Sequence, residues 1–162
     1  MAIREGEERL GFDPAARGDA SIAFLGRIRT PWSKGDCPKN IARARETGQG
    51  ARVELLPECE ALLTGLAPGR WVMLLYWMDR AERDIAVQRP GHVDGPRGCF
   101  AIRTPARPNP ISMACVQVTG IEGTTLHIDA ADCFDGTPLV DIKPWLPTVD
   151  APPGAASGDI SV

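Results

Sequence analysis

The apolar positions of this chain come in short groups, each closed by glycine, proline or an acid. The densest group is "WVMLLYWM", residues 71–78, with no polar interruption except the tyrosine hydroxyl. Such a run predicts a strand buried on both faces, or a strand at a barrel seam. "SIAFLGRI", 21–28, reads as a short strand that stops at "RTPW", where Pro31 cannot donate to a ladder. "ARVELL", 51–56, alternates and predicts another strand. "PECEALLTGL" sets Pro57 at a helix start, two acids in the first turn and Gly65 near the stop, so it predicts a short helix. "CFAIR", 99–103, reads as a strand. "SMACVQVTGIEG" and "TTLHIDA" predict a hairpin around Glu122-Gly123. In its second arm Leu126, Ile128 and Ala130 share one face, and Thr125, His127 and Asp129 share the other.

The intervening stretches are polar. "KGDCPKNIARARETGQG" reads as a long loop with one helical turn at most, and "DRAERDIAVQRPGHVDGPRG" as a turn-rich connection. Residues 1–20 lack an apolar period and read as a flexible leader; 152–162 read as a flexible tail. The folded part is therefore expected over 21–151. There is no repeat and no sustained helical period. The expectation is an all-β or β-dominated protein, a single β-barrel domain with short helices and long loops.

Composition agrees. A chain of 162 residues suits one domain with a sizeable core, and 17 glycines with 15 prolines favour short elements joined by turns. The five cysteines form no CxxC pair, and the polar N-terminus does not resemble a secretory signal, so reduced thiols in a cytoplasmic protein are expected. His92 and His127 lie far apart, without metal-site spacing, and no apolar run approaches a membrane span. Net charge is −3, which argues against a general nucleic-acid binder. Yet from Arg27 to Arg107 there are 14 basic and 9 acidic residues, so the middle is +5 while the remainder is −8. A basic middle could serve an anionic partner, or it could be a mixed solvated surface.

No dinucleotide-binding glycine motif, P-loop, nucleophile elbow or zinc-protease helix is present. Two stretches stand out instead. In "RTPARPNP", 103–110, three prolines fix φ and restrict the residues before them. That stiff path carries Arg103 and Arg107, forks suited to carboxylate or phosphate, and the amide of Asn109. It is either a plain proline-rich connection or a rigid frame for a ligand. In "DAADCFDGTPLVDIKP", Asp129, Asp132, Asp135 and Asp141 fall within thirteen residues. The spacing is not that of a calcium loop, and Asp135 opens an Asp-Gly turn. The remaining carboxylates could serve hydroxyls, ammonium groups or the turn itself.

Together, "FAIRTPARPNPI" and, about twenty residues later, "DCFDGTPLVDIKPWLP" resemble the signatures of the TsaA-like (YaeB/TrmO) family of S-adenosylmethionine-dependent tRNA methyltransferases. "FLGRIRTPW" is similar to that family's opening stretch, so the resemblance covers roughly residues 22–150. It implies a β-barrel domain, a homodimer, and methyl transfer from S-adenosyl-L-methionine to N6 of N6-threonylcarbamoyladenosine next to the anticodon of tRNA. It implies cofactor contacts at Pro38, Lys39 and Asn40, at Asp79 and Arg80, at Arg103, at Met113, and at Asp129, Ala130, Ala131 and Asp132. Arg107, Asn109, Asp135, Asp141 and Lys143 would hold substrate or structure; no catalytic base and no metal is implied. The cofactor's carboxylate suits Arg103 or Arg80, its hydroxyls and ammonium suit Asp132 or Asp129, and its sulfonium suits a carboxylate or the face of Trp77. Four positions depart from the family pattern. Lys39 and Asn40 stand where it has Arg-Gln, Asp79 where it has histidine, and Ser112 where it has glycine. The alternatives are a family member with another RNA or small-molecule acceptor, and a non-catalytic β-barrel binding module.

Overall fold

The computed structural model describes residues 4–91 and 93–151. Its strands are β1 (Glu8–Arg9), β2 (Gly26–Arg29), β3 (Ala51–Leu55), β4 (Trp71–Trp77), β5 (Ile85–Gln88), β6 (Arg97–Gly98), β7 (Ile111–Glu122), β8 (Thr125–Ile128) and β9 (Thr137–Pro144). Two short helices, α1 (Ile41–Glu46) and α2 (Pro147–Asp150), and three 3-10 turns complete it. Six strands form a closed antiparallel barrel in the order β2-β3-β8-β7-β4-β9, and β1-β5-β6 form a small separate sheet. Among the described residues no helix is long and apolar enough to cross a membrane.

Alternation fills the ring. Ile28, Val53, Val72, Leu74, Val116, Val118, Leu126, Ile128 and Leu139 point inward and are essentially inaccessible. Ala130 follows Leu126 and Ile128 into the core, as the period of two expects. Gly26 permits the tight β2–β3 approach, since a Cβ there would lie 2.8 Å from Leu55 Cα.

Several expectations are corrected. The run 71–78 is not buried on both faces: β4 alternates, with Val72, Leu74 and Tyr76 inside and Trp71, Met73, Leu75 and Trp77 outside. On that outer face β7 sets Met113 and Ile111 opposite Leu75 and Trp77, which extends the apolar surface to one side. "CFAIR" is not a strand but a 3-10 turn over Cys99–Ala101, which buries Cys99 and turns Phe100 outward. The connection 79–98 holds two strands, β5 and β6, paired to each other. "PECEALLTGL" coils as a 3-10 helix over Pro57–Leu63. Part of the expected leader is tied down: β1 pairs β5, and Leu10 N–H donates to Asp84 O at 2.7 Å. The expected tail and His92 lie outside the described residues.

Strand direction alternates around the ring, so three connections open at one end: 30–50 between β2 and β3, 78–110 between β4 and β7, and 129–136 between β8 and β9. Both signature stretches begin there.

Candidate functional site

The barrel end is stitched by backbone groups. Thr30 Oγ donates to Cys133 O at 2.9 Å, and Trp32 Nε1 donates to Ala131 O at 2.8 Å. Asp135 N–H donates to Trp32 O at 2.9 Å, and Gly136 N–H donates to Ile28 O at 2.9 Å. These bonds hold the chain on both sides of Asp132. Its side chain is fixed from below: Tyr76 Oη, at the last inward position of β4, donates to Asp132 Oδ1 at 2.7 Å. Tyr76 is only 4% exposed, whereas Asp132 is half-buried. Burial first, then the negative charge of Asp132 and the hydrogen bond, push the Tyr76 hydroxyl far above its ordinary pKa. It is a permanent donor. The second carboxylate oxygen of Asp132 accepts no hydrogen bond within the described residues and stays available at the lip.

Two thiols flank this carboxylate. Burial, then the charges of Asp132 and Asp36, raise Cys37 to about 11. Burial raises Cys133 to about 12, against a lowering hydrogen bond with Thr137. Both stay protonated at neutral pH and offer no thiolate nucleophile. All five cysteines are free, and no group of acids, histidines and cysteines among the described residues could hold a metal ion.

The other aspartates are occupied. Asp129 accepts from Arg45 Nε at 2.6 Å and from Gln117 N at 2.8 Å, fastening α1 to the barrel. Asp135 accepts from Thr30 N at 3.2 Å and lies 3.6 Å from Arg29 NH1, within the Asp-Gly turn whose Gly136 has φ +80°. Asp141 and Lys143 form a 2.7 Å ion pair on the outer wall, opposite Leu75 and Met73, because a bulge beside Tyr76 turns them away from the core. Met113 lies on that same wall, 45% exposed. Ala130 and Ala131 are buried and contribute backbone.

The proline-rich stretch divides in the same way. Arg107 NH2 donates to Cys99 O at 2.7 Å and Ile102 O at 3.5 Å, so it braces its own loop. Asn109 Oδ1 accepts from Arg83 NH2 at 3.3 Å, and Arg83 Nε also donates to Pro108 O at 2.7 Å. Of the uses open to Arg107 and Asn109, this structure shows the loop itself. Arg103 is exposed and has no hydrogen bond or ion pair within the described residues. One face of Trp77 is covered, with Arg83 5.4 Å from the ring centroid.

In the connection 30–50, Asn40 is the N-cap of α1, its amide oxygen accepting from Arg43 N at 2.9 Å. Pro38 is half-buried, and Lys39 is exposed. Asp79 and Arg80 follow β4; Arg80 lies 5.8 Å over the Phe134 ring and so meets the aspartate stretch. Thus the expected Asp132 gathers with the missed Tyr76, Cys37 and Trp32, and Arg80 reaches the same stretch through Phe134. Asp129, Asn40 and Asp135 support them, while Met113, Asp141 and Lys143 sit on the outer wall. Tyr76 carried a readable signal: alternation through "VMLLY" puts its hydroxyl inside, where it must find a partner. Two open depressions, of about 640 and 660 Å³, lie elsewhere, one around Pro57, Leu63 and Gly123 and one around Leu10, Phe12 and Arg83.

Comparison with known proteins adds the following. Residues 27–151 match the family described as the tRNA-methyltransferase O N-terminal domain. The probable S-adenosyl-L-methionine-binding protein VirR of Rhizobium radiobacter is 38% identical over 128 residues, 78% of this chain and 71% of VirR. The tRNA (adenine(37)-N6)-methyltransferase of Eikenella corrodens is 46% identical over 79 residues, 46% of this chain and 45% of that protein. A crystal structure of TrmO superposes with a TM-score of 0.68 at 32% identity, covering 86% of this chain and 63% of the other. TrmO from Pseudomonas aeruginosa gives 0.67 at 30% identity, covering 88% and 63%. The chain thus spans less than two thirds of the length of these solved TrmO chains.

Proposed function

The chain belongs to the family of the tRNA-methyltransferase O N-terminal domain, and from that premise we propose that it transfers a methyl group from S-adenosyl-L-methionine to N6 of N6-threonylcarbamoyladenosine beside the anticodon of tRNA. One observation carries the reading: Asp132 is held at the barrel lip by Tyr76 and by bonds to both neighbouring residues, with one carboxylate oxygen uncommitted. Such a carboxylate suits the cofactor's hydroxyl or ammonium groups. Arg103, with its fork uncommitted, suits the cofactor's carboxylate. The residues therefore fit the cofactor, and Arg83 already occupies one face of Trp77. When bound, S-adenosyl-L-methionine supplies an electrophilic methyl group. Asp132 and Arg103 orient it, and a stiff frame suits a transfer whose barrier falls mainly through alignment. Lys39, Pro38, Asp79 and Arg80 surround the same end.

A second copy of the chain would cover the apolar outer wall of Trp71, Met73, Leu75, Ile111 and Met113, placing Met113 at a subunit boundary; a cytoplasmic homodimer belongs to this reading. Labelled cofactor incubated with tRNA carrying N6-threonylcarbamoyladenosine tests it. Label in that nucleoside is the expected outcome, and no cofactor binding at millimolar concentration would sink the reading. A second reading, transfer to another RNA or small molecule, is favoured by the committed Asn40 amide and by carboxylate Asp79 at a position where the family has histidine. Cofactor binding without label in the tRNA would select it, or a non-catalytic binding module.

A further inference from the structure

Phe100 is the most exposed large hydrophobic side chain among the described residues, at 89%. Its exposure is not that of a loose loop. Neighbouring Cys99 is buried, at 6%, and its carbonyl accepts from Arg107 at 2.7 Å. Gln88 Nε2 donates to Ala106 O at 2.8 Å, and Thr104 Oγ donates to Gln88 Oε1 at 3.0 Å, which fastens the returning chain to β5. Gly98, just before the turn, is paired to Val87 of β5. The 3-10 turn is thus clamped on both sides with its aromatic ring pointing into solvent, where it forfeits the burial that the rest of the core exploits.

The surroundings indicate what the ring meets. Among the described residues between Trp71 and Ile111, Phe100 is the one large hydrophobic side chain that stands exposed. Exposed cations lie close to it along the chain and across the strand pair: Arg97 and Arg103 stand three residues to either side, and Arg89 follows Gln88, which pairs with Arg97. None of the three forms an ion pair with a described residue, and Asp94 is the one acid between positions 89 and 107. A clamped, exposed aromatic ring with guanidinium groups on both sides of it in the chain suits a polyanion with exposed π-faces, namely unpaired nucleotides. Within a duplex the base faces are stacked on each other and closed to it.

We propose that Phe100, with Arg89 and Arg97, forms a stacking platform for an unpaired base of the RNA substrate. The platform lies three residues from Arg103, no more than about 11 Å of extended chain. A base docked on it would be delivered beside the cofactor's arginine. The proposal rests on the RNA-methyltransferase reading of the same barrel end.

The test is fluorescence anisotropy with a labelled hairpin RNA bearing an unpaired loop, run beside calorimetry with S-adenosyl-L-methionine on the full chain. Phe100→Ala is expected to weaken RNA binding roughly tenfold or more, Phe100→Trp to keep it within about threefold, and both to leave cofactor affinity unchanged. Arg97→Gln is expected to weaken RNA binding and to reduce the dependence on log salt by about one. Equal RNA affinity for wild type and Phe100→Ala overturns the platform while leaving the methyltransferase reading intact. A wild type that binds cofactor but no RNA overturns both the platform and the RNA acceptor. Conversion of dimer to monomer by Phe100→Ala in sedimentation also overturns the proposal, since the ring would then be a subunit contact.

Discussion

The proline-rich stretch at 103–110 and the aspartate stretch at 129–141 face the same problem and solve it alike. Each crowds polar side chains into a stretch that begins at the barrel end, and each spends most of them on its own geometry. In the first, Arg107 braces the loop through Cys99 O, Asn109 receives Arg83, and Arg103 is left over. In the second, Asp129 holds Arg45, Asp135 holds Thr30, Asp141 holds Lys143, and one oxygen of Asp132 is left over. The difference lies in depth. Asp132 is half-buried and fixed by a tyrosine from the barrel interior, whereas Arg103 is exposed and its side chain has no hydrogen-bond partner within the described residues. The residue types of a motif do not show which members bind; the ones the fold leaves unspent are the binding candidates.

The sharpest way to break this comparison is to exchange roles within the aspartate stretch. Asp129→Ala removes the carboxylate partner of Arg45, which keeps only its bond to Cys115 O, and strands the Gln117 amide of β7; it should cost about 2 kcal/mol or more, lowering the thermal midpoint by roughly 5 °C or more, with little change in cofactor affinity. Asp132→Asn should do the reverse: calorimetric affinity for S-adenosyl-L-methionine falls about tenfold or more, and the midpoint moves little. Equal melting losses for both would erase the distinction. The proline-rich stretch should show the same division on a smaller scale. Arg103→Gln should weaken cofactor binding roughly fivefold at unchanged stability, and Arg107→Gln should lower the midpoint first.

Tyr76→Phe sharpens the comparison further. It removes one hydroxyl and should weaken cofactor binding by about 1 kcal/mol, an effect that vanishes in the Asp132→Asn background. If the loss persists there, Tyr76 does not act through Asp132. The smallest effect concerns pH. Cys37 and Cys133 are raised from 9.0 to about 11 and about 12. Above about pH 9 the unfolded chain therefore releases thiol protons that the folded chain retains. The stability these thiols contribute is complete below pH 9 and declines as pH rises through 11 and 12. Cys133→Ala should flatten that decline in denaturant melts taken at increasing pH.

Legibility in the sequence followed the range of the interactions. The hairpin of β7 and β8 could be read because alternation and a glycine turn are local signals, and Leu126, Ile128 and Ala130 all point inward. The β5–β6 pair could not, because "IAVQ" is short and gains its ladder from β1 and β6, outside its own window. "CFAIR" has strand composition but turns, because burying Cys99 and bonding its carbonyl to Arg107 outweighs local preference.

By itself, the chain's residue order determined the β-rich class, the two signatures and the family they resemble, since these depend on periods and spacings along one strand of text. Only the tertiary structure decided that "WVMLLYWM" has an inside and an outside, that Tyr76 reaches Asp132, and that Arg103 and Asp132 are the unspent members of their sets. The reason is physical. A charged side chain is free or committed according to partners tens of residues away, as Arg45 is to Asp129, and only closure of the barrel brings those partners within bonding distance.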